Sequence, residues 1–169
     1  MLGLKHEENF LAEYDSDWPR LFREESLRLK AILADLAYGI EHYGSTAVPG
    51  LPAKPILDIL VGVLPIENWA ACKPRLESLG YDYADRAGVA DHFIFGRGRD
   101  RTERTHLVHV VTYHGNAWST GLRFRDELRS NQAFREEYLV AKKRAVATGR
   151  AAYNAAKQDF IQTMIEGLT

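Results

Sequence analysis

A glycine-serine pair, Gly44-Ser45, closes one short apolar stretch, and a lone aspartate, Asp58, sits between Leu57 and Ile59 inside the next. A carboxylate in a hydrophobic strand is costly unless something pairs with it. Asp58 therefore requires a metal, a lysine, a hydrogen-bond donor or a ligand. Gly-Ser at a strand end turns backbone N–H groups and a hydroxyl toward an anion, typically a phosphate, although the same pair also makes ordinary turns. Twelve residues separate Ser45 from Asp58, a spacing that lets a phosphate-holding turn and a metal-holding carboxylate meet at one sheet edge. Lys54 is the third member. Pro49, Pro52 and Pro55 restrict its loop. Its ammonium suits a phosphate, or equally a salt bridge to Asp58 or Glu41.

Histidines come next. His42, His106 and His109 all fall in strand-like stretches, where a neutral imidazole can hold a metal, relay a proton or simply be a hydrogen-bonded core residue. Strand alternation sends His106 and His109 to opposite faces, so one of the two can join Asp58. His42 shares its parity with Gly44, which favours it. His92 and His114 lie near strand ends and take no assignment. Farther on, Arg123, Arg125, Arg129, Lys142, Lys143 and Arg144 are interleaved with Asp126, Glu127, Glu136 and Glu137, which reads mostly as a solvated charged face. Tyr153 and Lys157 share one helix face, lining a pocket or packing.

These residues need elements to hold them. Ser16 and Asp17 offer N-cap side chains, Pro19 suits a first turn, and the apolar spacing predicts an amphipathic helix over 18–36 after an extended lead-in at 1–15. Strands are expected at 40–43 and 55–63, the second apolar enough to be buried on both faces. A helix disturbed by Pro74 follows at 66–79, then strands at 81–84, 92–96 and 105–112. The Arg- and Gly-rich stretch 97–104 reads as a hairpin connection. Three helices close the chain, near 117–129, 132–147 and 150–167, with Asn116 and Asn131 as N-caps and Gly149 as a break. This order predicts a single domain over 1–169, α+β or α/β and taken as α+β: helices on a mixed β-sheet, with a C-terminal helical segment.

Composition narrows the classes. The chain has 169 residues, enough for one core, and a formal charge of −1, so no strong nucleic-acid signature exists. The charge is uneven: residues 1–99 carry 11 basic and 15 acidic side chains, and residues 100–169 carry 11 and 8. That asymmetry permits a local anion site. One cysteine, Cys72, excludes an internal disulfide and fits a reducing compartment. No apolar run approaches the ~18 residues that span a bilayer, and no secretory signal is evident. A cytoplasmic protein with no membrane association is expected. Oligomeric state is not set by the sequence.

Taken together, Tyr14-Asp15, Trp18-Pro19, Glu41-His42, the run from Gly44-Ser45-Thr46 through Val48-Pro49-Gly50-Leu51 and Ala53-Lys54-Pro55 to Asp58-Ile59-Leu60, Leu79-Gly80-Tyr81, His109-Val110, Phe124-Arg125-Asp126 with Leu128-Arg129, and Tyr153 with Lys157 resemble the GrpB family of small bacterial proteins. The resemblance covers about residues 14–161. It implies a nucleotidyltransferase-like fold, with Gly-Ser at an early strand end and acids on the next strand. Active nucleotidyltransferases carry Asp-x-Asp or Asp-x-Glu there, and the two acids hold divalent metal on a triphosphate. Asp58 matches the first acid, Leu60 falls on the second, and the third falls near His109, so the three-acid, two-metal site is absent.

What the resemblance implies is a nucleotide or phosphorylated small molecule over Gly44, Ser45, Thr46, Lys54 and Asp58. One divalent metal, Mg or Mn, would sit on Asp58 with His109. Catalysis would use Asp58 with His42 or His109, and Arg123 or Lys157 would stabilise phosphate charge. The alternatives are a catalytically degenerate binding or adaptor module of the same fold, and a single-metal hydrolase or lyase using Asp and His; similar domains occur joined to a coenzyme-A-pathway kinase, which fits either the transferase or the degenerate reading.

Overall fold

The computed structural model describes residues 1–85 and 89–167. The chain runs β1 (Leu4–Lys5), α1 (Trp18–Leu33), β2 (Gly39–Tyr43), β3 (Leu57–Val63), α2 (Trp69–Ser78), β4 (Asp82–Tyr83), β5 (His92–Arg97), β6 (Glu103–Arg104), β7 (His106–Thr112), α3 (Asn116–Ser130), α4 (Gln132–Thr148) and α5 (Arg150–Glu166). The main sheet has the order β2-β3-β7-β5-β4. β3 and β7 run parallel and the remaining neighbours antiparallel, so the sheet is mixed and the fold is α+β as expected. A parallel pair needs a long crossover, and α2, β4 and β5 supply it.

Register fixes which side chains share a face. In β3, Ile59, Val61 and Val63 pack with Leu29 and Leu33 of α1, Cys72 and Leu76 of α2, and Phe95, Val108 and Val110 of the sheet. Each fully buried aliphatic side chain contributes about 1.5–3 kcal/mol. Asp58 and Leu60 take the opposite face, where Leu60 packs on Val111 and Trp118. Val48 and Leu51 of the proline-rich loop enter a further cluster with Phe124, Leu128, Tyr138 and Met164, which docks the C-terminal helices.

Several boundaries differ from expectation for local reasons. α1 stops at Leu33 because Ala34 takes a φ of +47°, and Ala34–Leu36 tightens into a 3-10 turn. Arg75 of α2 donates to the stranded carbonyls of Ile32 and Leu33. Gly115 rather than Asn116 precedes α3, whereas the Asn131 side chain accepts from the Phe134 N–H at 3.1 Å and caps α4. Asp17 holds the N-cap place of α1 without a side-chain bond. The stretch 97–104 is more than a connection: β6 within it pairs with β1 from the lead-in. Among the described residues no helix is long and apolar enough to cross a membrane.

Candidate functional site

Tyr43 of β2 lies opposite Asp58 of β3, so the chain turns at Gly44 directly beside the carboxylate. Gly44 has φ +74° and ψ −173°, a region essentially reserved for glycine. A Cβ there would stand 2.7 Å from Asp58 Oδ2. Ser45–Ala47 then form a 3-10 turn. The Gly-Ser turn is thereby pressed onto Asp58.

Across the same face of the sheet, three strands contribute one hydrogen-bonded line. His109 of β7 places Nε2 3.1 Å from Asp58 Oδ1, and its Nδ1 lies 2.8 Å from Nε2 of His92 on β5. Burial works to raise the Asp58 carboxyl, but the His109 hydrogen bond and the nearby charges of His109, Lys157 and His42 outweigh it and hold the pKa below the usual range. Ionised Asp58 can only accept, so His109 Nε2 donates. The proton in the His109 Nδ1···His92 Nε2 contact sits on one ring or the other according to the tautomer. Burial, together with the His109 and Lys157 charges, depresses His92 to about 4, which keeps it neutral near pH 7. Tyr43 stands edge-on to the His109 ring, 5.1 Å between centroids.

Cations gather on the other side of Asp58. Lys54 Nζ lies 4.0 Å from the centroid of the Tyr153 ring and pairs with neither Asp58 nor Glu41; Glu41 is taken by Arg125 at 2.9 Å. Burial, Arg150 and Lys157 press Lys54 down to about 8. Lys142 is 1% exposed and donates to the Pro52 carbonyl at 2.8 Å. Ser45, Thr46, Lys54, Asp58, His109, Tyr153 and Lys157, with Arg150 and an aliphatic wall of Leu4, Ile56, Ile94 and Leu107, line a cavity of about 430 Å³. That volume falls in the range of small-molecule sites.

The GrpB protein family matches residues 9–167 of this chain. This protein belongs to the GrpB family. The glutamate-rich protein GrpB of Alkalihalophilus pseudofirmus is 32% identical over 171 residues, covering 98% of each chain. A UPF0157 protein of Halalkalibacterium halodurans is 38% identical over 160 residues, 92% of this chain and 80% of that one. The crystal structure of conserved protein GrpB from Enterococcus faecalis superimposes with a TM-score of 0.76 and 31% identity, covering 92% of this chain and 99% of that one.

In this GrpB-family chain the fold brings Ser45, Thr46, Lys54, Asp58, His109 and Lys157 to one cavity, with Gly44 behind Asp58. Two expected residues are elsewhere. His42 pairs in register with Ile59, not Asp58, so it faces α1, stacked on Phe22 with 4.8 Å between centroids and its Nε2 2.9 Å from Thr46 Oγ1. Parity with Gly44 misleads because the chain leaves the strand at Gly44. Arg123 lies on the exposed side of α3, one position before buried Phe124, while Arg125 and Arg129 reach the sheet end through the His42 and Ala47 carbonyls. Leu60, on the second acid position of the nucleotidyltransferase pattern, is fully buried against Trp118 and is core.

Three residues escaped the sequence. His92 joins the line only through the β5–β7 register. Arg150 opens α5 directly after the break at Gly149. Lys142 was hidden in a charged run, although Tyr138, Lys142 and Ala145 share an inward helical spacing that marks it. For a divalent metal, the one carboxylate on the cavity wall already accepts from His109, and both His109 nitrogens are engaged. Among the described residues no group of three His, Cys, Asp or Glu could hold an ion. The protein groups alone do not fit a metal cage.

Proposed function

We propose that this protein binds a phosphorylated small molecule, a nucleotide or another phosphate ester, in the cavity between Gly44-Ser45, Lys54, Asp58 and Lys157. One observation carries the reading: Lys54, Lys142, Lys157 and Arg150 cluster around a single carboxylate that is already paired with His109. A partly buried surplus of cations is costly until an anion enters. Charge-assisted hydrogen bonds to phosphate are the strong kind. The Ser45 hydroxyl adds a polar contact, and the aliphatic wall accommodates an uncharged body such as a base.

Binding without two-metal nucleotidyl transfer is the better-supported form, because the second acid position is Leu60 in the core. Asp58, His109 and His92 form the proton-relaying group if a hydroxyl is activated there. Thermal melts with nucleotides and phosphate esters, each with and without Mg²⁺ or Mn²⁺, test both parts. A true ligand at about 100 times its Kd stabilises by about 2.7 kcal/mol. Replacing Lys54 by Met is expected to weaken that ligand roughly 10–100-fold, the worth of about 1.5–3 kcal/mol for a charged hydrogen bond, while Arg123→Ala leaves it unchanged. Melts that no nucleotide or phosphate ester shifts refute the reading. A shift that needs the metal places a cation between Asp58 and phosphate.

A further inference from the structure

Lys142 is the least expected charge in the molecule. It leaves α4, passes the Tyr138 ring at 5.1 Å and ends on the Pro52 carbonyl, two residues before Lys54. It is 1% exposed, and among the described residues no carboxylate pairs with it. The groups facing it are Lys54 in the proline loop, Lys157 on α5 and, more distantly, Asp58 on β3. Arg150 and Tyr153 of α5 complete the surroundings of Lys54. Close by, the Tyr138 hydroxyl is fully buried beside Ser45 and makes no hydrogen bond of ordinary geometry among the described residues. A buried lysine with one neutral partner and a buried hydroxyl with none thus lie directly behind cavity-lining residues, Lys142 behind the Pro52–Lys54 loop and Tyr138 behind Ser45.

We propose that this anion site is proton-linked: a terminal phosphate dianion enters together with a proton from solvent, which Lys142 and Lys54 take up. The inference rests on the phosphate-binding reading and names its ligand class, a phosphomonoester rather than a diester. Lys54 and Lys142, neighbouring cations with little solvent between them and the chain, repel, and each carries part of the cost of the other's charge. A dianion neutralises both, whereas a monoanion neutralises one. Burial, with the charges of Lys157 and Lys54, presses Lys142 to about 7, and Lys54 stands at about 8. Both are therefore incompletely charged in the empty protein at about pH 8, and an arriving dianion restores the missing proton. Uptake is about one proton per ligand there, so affinity falls roughly tenfold between about pH 8 and 9.

Titration calorimetry on the whole chain with AMP, cyclic AMP and inorganic phosphate tests this, each run at about pH 8 in two buffers of different ionisation enthalpy. AMP and inorganic phosphate are dianions at that pH, since the second phosphate pKa is near 6 in an ester. Cyclic AMP carries the same base and sugar on a singly charged diester. The expected result is a heat for AMP that differs between the buffers by about one proton, and cyclic AMP at least ~10-fold weaker. In Lys142→Met the buffer dependence shrinks while AMP still binds. Should that variant fail to fold, the Lys142 ammonium is followed by NMR in the native chain, and its titration midpoint rises with AMP. AMP binding with equal heats in both buffers, or an unmoved Lys142 midpoint, overturns the proton linkage and leaves phosphate binding standing. Failure of AMP and phosphate to bind at all removes both.

Discussion

The two faces of the sheet treat polar side chains in opposite ways. On the face under α1, charges and rings are closed on one another. Glu25, 3% exposed, accepts from Tyr81 Oη and from Arg97, both at 2.8 Å. His106 bonds Thr105 at 2.8 Å, and His42 bonds Thr46. On the face under α5, Asp58 and His109 pair, but Lys54, Lys142 and Lys157 crowd together with no acid of their own among the described residues. Buried polar groups are normally satisfied. A face that satisfies them internally is stabilised by them, whereas the cation surplus on the other face is what supports the proposed anion site.

The largest test of that contrast is Glu25→Ala. It leaves the Tyr81 hydroxyl buried and Arg97 half-buried without their acceptor, and breaking a largely buried pair costs about 3–5 kcal/mol. Urea unfolding is expected to show that loss with ligand affinity unchanged in the molecules that remain folded. An affinity change would mean the two faces are not separable.

Acid comes next. His42 is 6% exposed, and burial holds it at about 4, against about 6.5 when unfolded. His106 is depressed similarly, by burial first and then Arg97. Such groups are neutral when folded and protonate more readily when unfolded, so stability is full above about pH 6.5 and is lost as pH falls toward about 4. His42 alone contributes on the order of 3 kcal/mol to that loss. Melting temperatures across this window should drop, and less steeply in His42→Leu. An equal drop in both proteins would place the acid sensitivity on the other depressed histidines, His106 and His92.

The smallest effect belongs to Gly44→Ala. Its backbone region costs a non-glycine residue about 1–3 kcal/mol, and the new methyl displaces Asp58. Loss of ligand affinity beyond the loss of stability is expected, read from ligand-induced melting shifts of the variant. Stability loss alone would reduce the Gly-Ser turn to scaffold.

Element types were largely legible because each has a local cause: the apolar run of 55–63, the helical spacing of 18–36, the capping Asn131. The candidate cavity was legible as far as one loop and its strand carried it, from Gly44 to Asp58. Lys157 came from a motif and from sharing a face with Tyr153. What stayed hidden depends on register between distant strands and on the direction of a helix face. His92 reaches His109 only because β5 lies antiparallel beside β7. His42 is turned away because it pairs with Ile59. Lys142 looked solvated because its charged neighbours are, and only its position between Tyr138 and Ala145 shows otherwise.

The cavity is walled by both extremes of the chain. Leu4 and His6 come from the first residues, Arg150 to Lys157 from the last helix, and Arg150 donates across to the His6 carbonyl while Asn9 donates to Val146. α5 itself buries only Tyr153 and Met164, so it belongs to the part of the structure that opens at the lowest free energy. Undocking of α5 and emptying of the cavity are therefore one linked equilibrium. If the proposed phosphate ligand bridges Lys54 and Lys157, it would clasp the first residues to α5, and amide exchange along α5 would slow before global unfolding changed.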